Sequence, residues 1–137
     1  MTKVDYKGTI HLKSFSPEEI LDLVEKYATP IVIGIDGKGY RVNLSSIKLR
    51  TFKDSVVCVD CGRVGTVMSL DTHGYFKRSR KAHFNLYCIE SDGEYTLMTR
   101  DHIVPIFKGG ISSMENSQTM CSICNSKKGS KLQEKFL

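Results

Sequence analysis

The chain has 137 residues, 40% of them hydrophobic and 26% charged, which excludes a disordered polymer and allows one compact domain or two very small ones. Lys and Arg outnumber Asp and Glu by 20 to 15, a net charge of +5, compatible with a polyanionic partner without requiring one. The N-terminus has no apolar signal-peptide core and no run reaches the roughly 20 apolar residues that span a bilayer, so a soluble cytoplasmic protein with reduced thiols is expected.

Residues 1 to 15 carry no strong pattern. Ser16-Pro17-Glu18-Glu19 reads as a helix start, with Ser16 as cap, Pro17 in the first turn and Glu19 completing a capping box. Ile20, Leu23, Val24 and Tyr27 recur at helical spacing, and Thr29-Pro30 ends the helix. Ile31 to Ile35 and Tyr40 to Leu44 read as two strands joined by a turn over Asp36-Gly37-Lys38-Gly39. Ser45 could cap a short basic helix to Phe52. Residues 1–52 are therefore expected to form a small α+β unit, a helix and a hairpin, with no catalytic constellation.

The character changes at Lys53. Val56 to Gly62 reads as a short strand entering a Cys-x-x-Cys turn. Lys77-Arg78-Ser79-Arg80-Lys81 is a basic tract. His83 to Glu90 and Tyr95 to Thr99 read as strands, the second running into Asp101-His102. Pro105 stops regular pairing, Lys108-Gly109-Gly110 opens a loop, Asn116 to Met120 reads as a short strand, and helix follows Cys121. Residues 53–137 form the second expected unit.

Of the five cysteines, four form two knuckles, Cys58-x-x-Cys61 and Cys121-x-x-Cys124. Four thiolates satisfy tetrahedral zinc and leave no open position, which marks a structural site. The competing reading is a redox motif, which would be a single Cys-x-x-Cys near a βαβ pattern, and none is visible. Cys88 alternates with Phe84 and Leu86 and reads as a buried strand residue.

Between the knuckles and just after the second lie groups suited to phosphodiester hydrolysis. That reaction needs a base, a cation to neutralise developing charge, and rigid positioning. His102 can be the base, since imidazole titrates near neutral pH. Asp101 and Asn125 offer hard oxygens for Mg²⁺ or Mn²⁺. Adjacent strand residues face opposite sides, so Asp101 and His102 share a site only if the strand ends or twists there. Taken singly, each has a plainer reading: a surface or core histidine, a common Asp-His pair, a helix-capping Asn.

Taken in order, Asp101-His102-Ile-Val-Pro, Gly109-Gly110, Asn116 and Cys121-x-x-Cys124-Asn125-x-x-Lys-Lys-Gly129 resemble the HNH endonuclease family, His-Me-finger nucleases with a ββα-metal core, of the zinc-stapled kind of phages and mobile elements. The resemblance covers about residues 95 to 131, and Cys58-x-x-Cys61 extends it. It implies a metal-dependent endonuclease in which His102 is the general base, Asp101 and Asn125 hold the divalent cation, and Asn116 braces the loop between two strands. One departure stands out: the third letter of the motif is often His, and here it is Asn125.

Lys77, Arg78, Arg80 and Lys81, and separately Lys127, Lys128 and Lys131, could contact DNA phosphates; solvated charged surfaces are the alternative. Whether one strand or both are cut depends on oligomeric state, a homodimer being one possibility. The alternative function is a zinc-stabilised DNA-binding or regulatory protein that keeps the fold without turnover.

Overall fold

The computed structural model describes residues 3–4, 8–27, 29–74 and 80–129. The fold is α+β, dominated by antiparallel sheet. Strands β1 (Lys3–Val4), β2 (Thr9–Phe15), β5 (Val67–His73), β6 (His83–Ile89), β7 (Tyr95–His102) and β8 (Ser117–Cys121) form one six-stranded sheet in the order β1-β2-β5-β6-β7-β8. Strands β3 (Ile31–Ile35) and β4 (Lys38–Val42) form a separate hairpin. The helices are α1 (Pro17–Leu21), α2 (Ile47–Asp54) and α3 (Ser122–Lys128). No described helix is long and apolar enough to cross a membrane.

The helix starts follow the capping logic of the sequence. Ser16 Oγ accepts from the Glu19 amide. In α2 the cap is Ser46, which accepts from Leu49 N, while the Ser45 hydroxyl donates to Asn43. Helix α1 is shorter than the periodicity implies. After Leu21 the bonds shift to i→i+3, Leu23 N to Ile20 O and Val24 N to Leu21 O, and Glu25 adopts φ 73°. This tightening turns Val24 fully into the core but leaves Tyr27 44% exposed. The β3–β4 turn is also tighter than expected. Asp36 and Gly37 alone form it, both at positive φ, the two-residue geometry that matches strand twist.

One face of the sheet carries Met68, Leu70, Phe84, Leu86 and Met98, all buried, against Ile20, Val24, Leu49 and Phe52 from α1, α2 and their flanks. The core therefore runs across the boundary expected at residue 52. β2 pairs with β5 along its length, and residues from both sides of the boundary share one core. β2 and β5 were not foreseen as strands. In β2 the register shifts between His11 and Lys13, so its apolar spacing changes from two (Ile10, Leu12) to three (Leu12, Phe15) and the alternation is lost. In β5, Ser69 and Asp71 are buried on the face that a half-buried strand would normally show to water.

That face is held by Asp71. Its carboxylate accepts from His11 Nδ1 at 2.7 Å, Ser69 Oγ at 2.5 Å, Asn85 Nδ2 at 2.8 Å and Tyr87 OH at 2.7 Å. A fully buried carboxylate is tolerable because every acceptor position is filled, and the four bonds tie β2, β5 and β6 together. The expected strand over Val56 to Gly62 is replaced by a tight turn. Only Val57 makes a bridge, to Val64, while Cys58 N donates to Arg63 O at 2.8 Å and Gly62 N to Cys58 O at 3.1 Å.

Because β2 and the first two helices complete the common core, deleting residues 1–52 should abolish cooperative unfolding of the remainder, measured by thermal circular dichroism. A truncated chain with a sharp transition near that of the full chain would show two independent units instead.

Candidate active site and metal centre

Strand β7 changes neighbours along its length. Tyr95, Thr96 and Leu97 pair with β6, whereas Met98 to His102 pair with β8. β8 then runs directly into α3, so β7, β8 and α3 form a ββα unit at one end of the sheet. On β7, Thr99 and Asp101 lie two residues apart and face α3, where Asn125 and Lys128 lie one turn apart. Asn125 Nδ2 donates to Thr99 Oγ1 at 2.9 Å, and Lys128 Nζ lies 2.6 Å from Asp101 Oδ2.

The Asn125 amide is oriented by a commitment elsewhere. The Thr99 hydroxyl gives its hydrogen to Met120 O at 2.6 Å, so its oxygen must accept, and the nitrogen of Asn125 must face it. The Asn125 oxygen is then turned away from Thr99. Asp101 is 8% exposed, and its Oδ2 also accepts from Gln118 Nε2 at 2.9 Å.

Strand β7 ends at His102, and the end of the strand lets two consecutive residues serve one place. Asp101, His102, Pro105, Ile106, Phe107, Lys128 and Gly129 line a small cavity of about 170 Å³. His102 Nε2 is buried with no hydrogen-bond partner, the kind of exception that calls for an explanation. Burial, and then the Arg100 guanidinium, hold the His102 imidazole below its usual pKa, which favours the neutral, proton-accepting form. Arg100 itself is anchored by Ser117 and Ser112, at 3.1 and 2.7 Å.

The loop from Ile103 to Asn116 is closed by Asn116. Its Oδ1 accepts from Val104 N at 2.8 Å, and its Nδ2 donates to Val104 O and Ile111 O at 2.9 and 2.8 Å. The two glycines permit this closure. Gly109 has φ 93°, and any Cβ on Gly110 would collide with Val104 O and crowd the Asn116 amide.

At the other end of α3, the sulfurs of Cys58, Cys61, Cys121 and Cys124 all lie within 4.8 Å of one another. Tetrahedral Zn–S bonds of about 2.3 Å would place sulfurs about 3.8 Å apart, and Cys61 Sγ and Cys121 Sγ are separated by 3.7 Å. The titration behaviour of the cluster fits a cation as well. Burial, then hydrogen bonding with the other thiols, pushes Cys124 up. Burial opposes ionisation of Cys61 too, but the backbone and guanidinium of Arg63 outweigh it and bring that thiol down to about 6. Neighbouring thiolates repel one another, and a divalent ion held among them would remove that repulsion. Cys88 is buried outside the cluster, and burial raises its pKa.

Three features here were missed or placed differently in the sequence. Arg63 Nη1 donates to Cys61 Sγ at 3.2 Å while its Nε pairs with Glu90 at 2.7 Å. Gln118 braces Asp101; its place opposite Asp101 follows from register. Lys128, grouped above with phosphate-binding surface residues, is 4% exposed and turns inward to the ion pair, which corrects that grouping. Lys127 remains exposed on α3. Arg80 and Lys81 are exposed and flank the bridge to β4, where Arg41 N donates to Arg80 O at 2.9 Å. Lys77, Arg78 and Lys131 lie outside the described residues.

Residues 86–137 match the family model described as HNH endonuclease. The matched segment takes in β7, β8, α3 and the loop closed by Asn116, and in this part the chain is similar to the HNH endonucleases, a nuclease family. No curated protein and no solved structure gives a significant match.

Two outcomes follow from this geometry. Stripping bound metal with a strong chelator should unfold the ββα unit, since a structural zinc contributes on the order of 10–16 kcal/mol in small peptides; unchanged near-UV circular dichroism would contradict a metal-held frame. Asn116→Ala should cost about 1–2 kcal/mol by denaturant titration and speed amide exchange at Val104, whereas exchange as slow as in the parent would mean the loop is held by other contacts.

Proposed function

We propose that the protein is a divalent-cation-dependent endonuclease that hydrolyses DNA phosphodiester bonds, with a structural zinc at Cys58, Cys61, Cys121 and Cys124. The observation that carries the reading is the unpartnered, buried His102 Nε2 in a cavity shared with Asp101, inside the segment that matches the HNH endonuclease model. In this reading His102, held neutral by its surroundings, takes the proton from the attacking water. Asp101 and the oriented oxygen of Asn125 hold the cation, Mg²⁺ or Mn²⁺. That cation would neutralise charge on the scissile phosphate and the departing oxygen. Asn116 acts by fixing the loop that leads out of His102. Exposed Lys127, Arg80 and Lys81 contribute to backbone binding, which is read through charge and not base identity. The reduced cytoplasm suits the thiolate ligands.

Incubation with supercoiled plasmid and Mg²⁺ or Mn²⁺ tests this. The parent protein should nick the plasmid, and His102→Ala should be slower by roughly 100-fold or more, the usual range for a lost general base. Equal nicking by both would remove His102 from the chemistry. Absence of nicking by the parent on duplex, single-stranded and branched DNA and on RNA would favour the non-catalytic binding protein.

A further inference from the structure

Lys128 is the residue that the nuclease reading leaves unexplained. Its side chain is 1% exposed, in a position where lysine occurs only when its charge is matched. Its ammonium lies 2.6 Å from Asp101 Oδ2 and 2.7 Å from His102 O. A buried ion pair of this kind is poor evidence of stabilisation, because desolvation offsets most of the attraction.

The consequence is electrostatic. Asp101 brings a formal negative charge to the proposed cation site, and Asn125 is neutral. Lys128 cancels that charge. Gln118 Nε2 adds a second donor to the same Oδ2, so the carboxylate is divided: Oδ2 is occupied by Lys128 and Gln118, and Oδ1 is left to act as a single-oxygen ligand. A divalent cation arriving alone meets one carboxylate oxygen, one amide oxygen and a nearby ammonium. A phosphodiester supplies the missing negative charge.

We propose that Lys128 is a built-in counter-charge that weakens divalent-cation binding in the free protein, so that cation and substrate phosphate are taken up together. This rests on the nuclease reading above and adds the order of assembly to it. Lys128 is in this sense a positioning residue: it orients Asp101 and sets the charge of the site.

Mn²⁺ binding to the full-length protein, read by the electron paramagnetic resonance signal of free Mn²⁺, tests the idea without turnover. In the absence of nucleic acid, Lys128→Met should bind Mn²⁺ about 10-fold more tightly than the parent, a factor within the usual range of coupling between sites. Mn²⁺ should also tighten duplex binding by His102→Ala protein about 10-fold, because coupling is reciprocal. This second measurement leaves Lys128 in place and so does not depend on whether the Met variant folds. Mn²⁺ binding by folded Lys128→Met that is equal to or weaker than the parent's would overturn the proposal. So would duplex affinity that ignores Mn²⁺. Mn²⁺ binding by Lys128→Met that survives a further Asp101→Asn would overturn it as well, since the counter-charge would then act on nothing. In any of these cases, plasmid nicking by the parent that is lost in His102→Ala would leave the endonuclease reading standing.

Discussion

The position of α3 rests on four sulfur atoms. Seven residues make two turns of helix, far below the length at which a helix is stable alone. Its first turn is held by Cys121, whose sulfur both accepts from Cys124 N at 3.4 Å and belongs to the cysteine cluster. The partner turn, Cys58 to Cys61, is sewn to β8 by other bonds: Val59 N donates to Thr119 O at 3.0 Å, and Thr119 Oγ1 to Ser55 O at 2.6 Å. A rotation of α3 would move Asn125 and Lys128 together off Thr99 and Asp101. The frame therefore sets which atoms meet at the far end of the helix.

The sheet provides the opposing surface. β7 is wedged between two partners, leaving β6 after Leu97 and following β8 to its end. Its inner half is anchored in the core through Met98, whereas its outer half ends at the loop that Asn116 closes. A rigid strand leading to an abrupt end places a carboxylate and an imidazole side by side. The Asp71 network does for the first half of the sheet what the sulfurs do for the last. Its four hydrogen bonds exhaust a buried carboxylate's capacity, so it joins three strands and leaves no lone pair for chemistry.

How far this was legible in the sequence follows from the range of each signal. Cysteine spacing, the Asp101-His102 pair, Gly109-Gly110 and Asn116 are local features, and the β7–β8–α3 order could be read from them. Ser16 works as the cap proposed, and the hairpin falls in place because Asp36-Gly37 dictates its turn. What escaped depended on partners distant in the chain. β2 is a strand because β5 lies beside it, and its bulge erased the alternation. Asp71 is buried because His11, Asn85 and Tyr87 converge on it from two other strands. Lys128 looked like one cation among several at the end of a helix, and nothing local shows that it points inward. The core that spans residue 52 was hidden for the same reason: a change in motif content marks where candidate chemistry begins, not where a core ends.

Arg63 and Lys128 pose one physical problem with opposite signs. Four thiolates around a divalent ion leave about two negative charges in excess, and the Arg63 guanidinium beside Cys61 offsets part of that excess without displacing a ligand. At Asp101 a single carboxylate faces a lysine, and the balance is already neutral before any cation arrives. On the proposal above, a cationic side chain thus favours the first site's ionised ligands and disfavours the second site's ion. In the proposed reading, a permanent frame would require its metal at all times, whereas a reacting centre would gain by holding its cation only when a phosphate is there to share it. The two ends of α3, two helical turns apart in the chain, differ in the charge placed beside each: Arg63 beside the thiols and Lys128 beside Asp101.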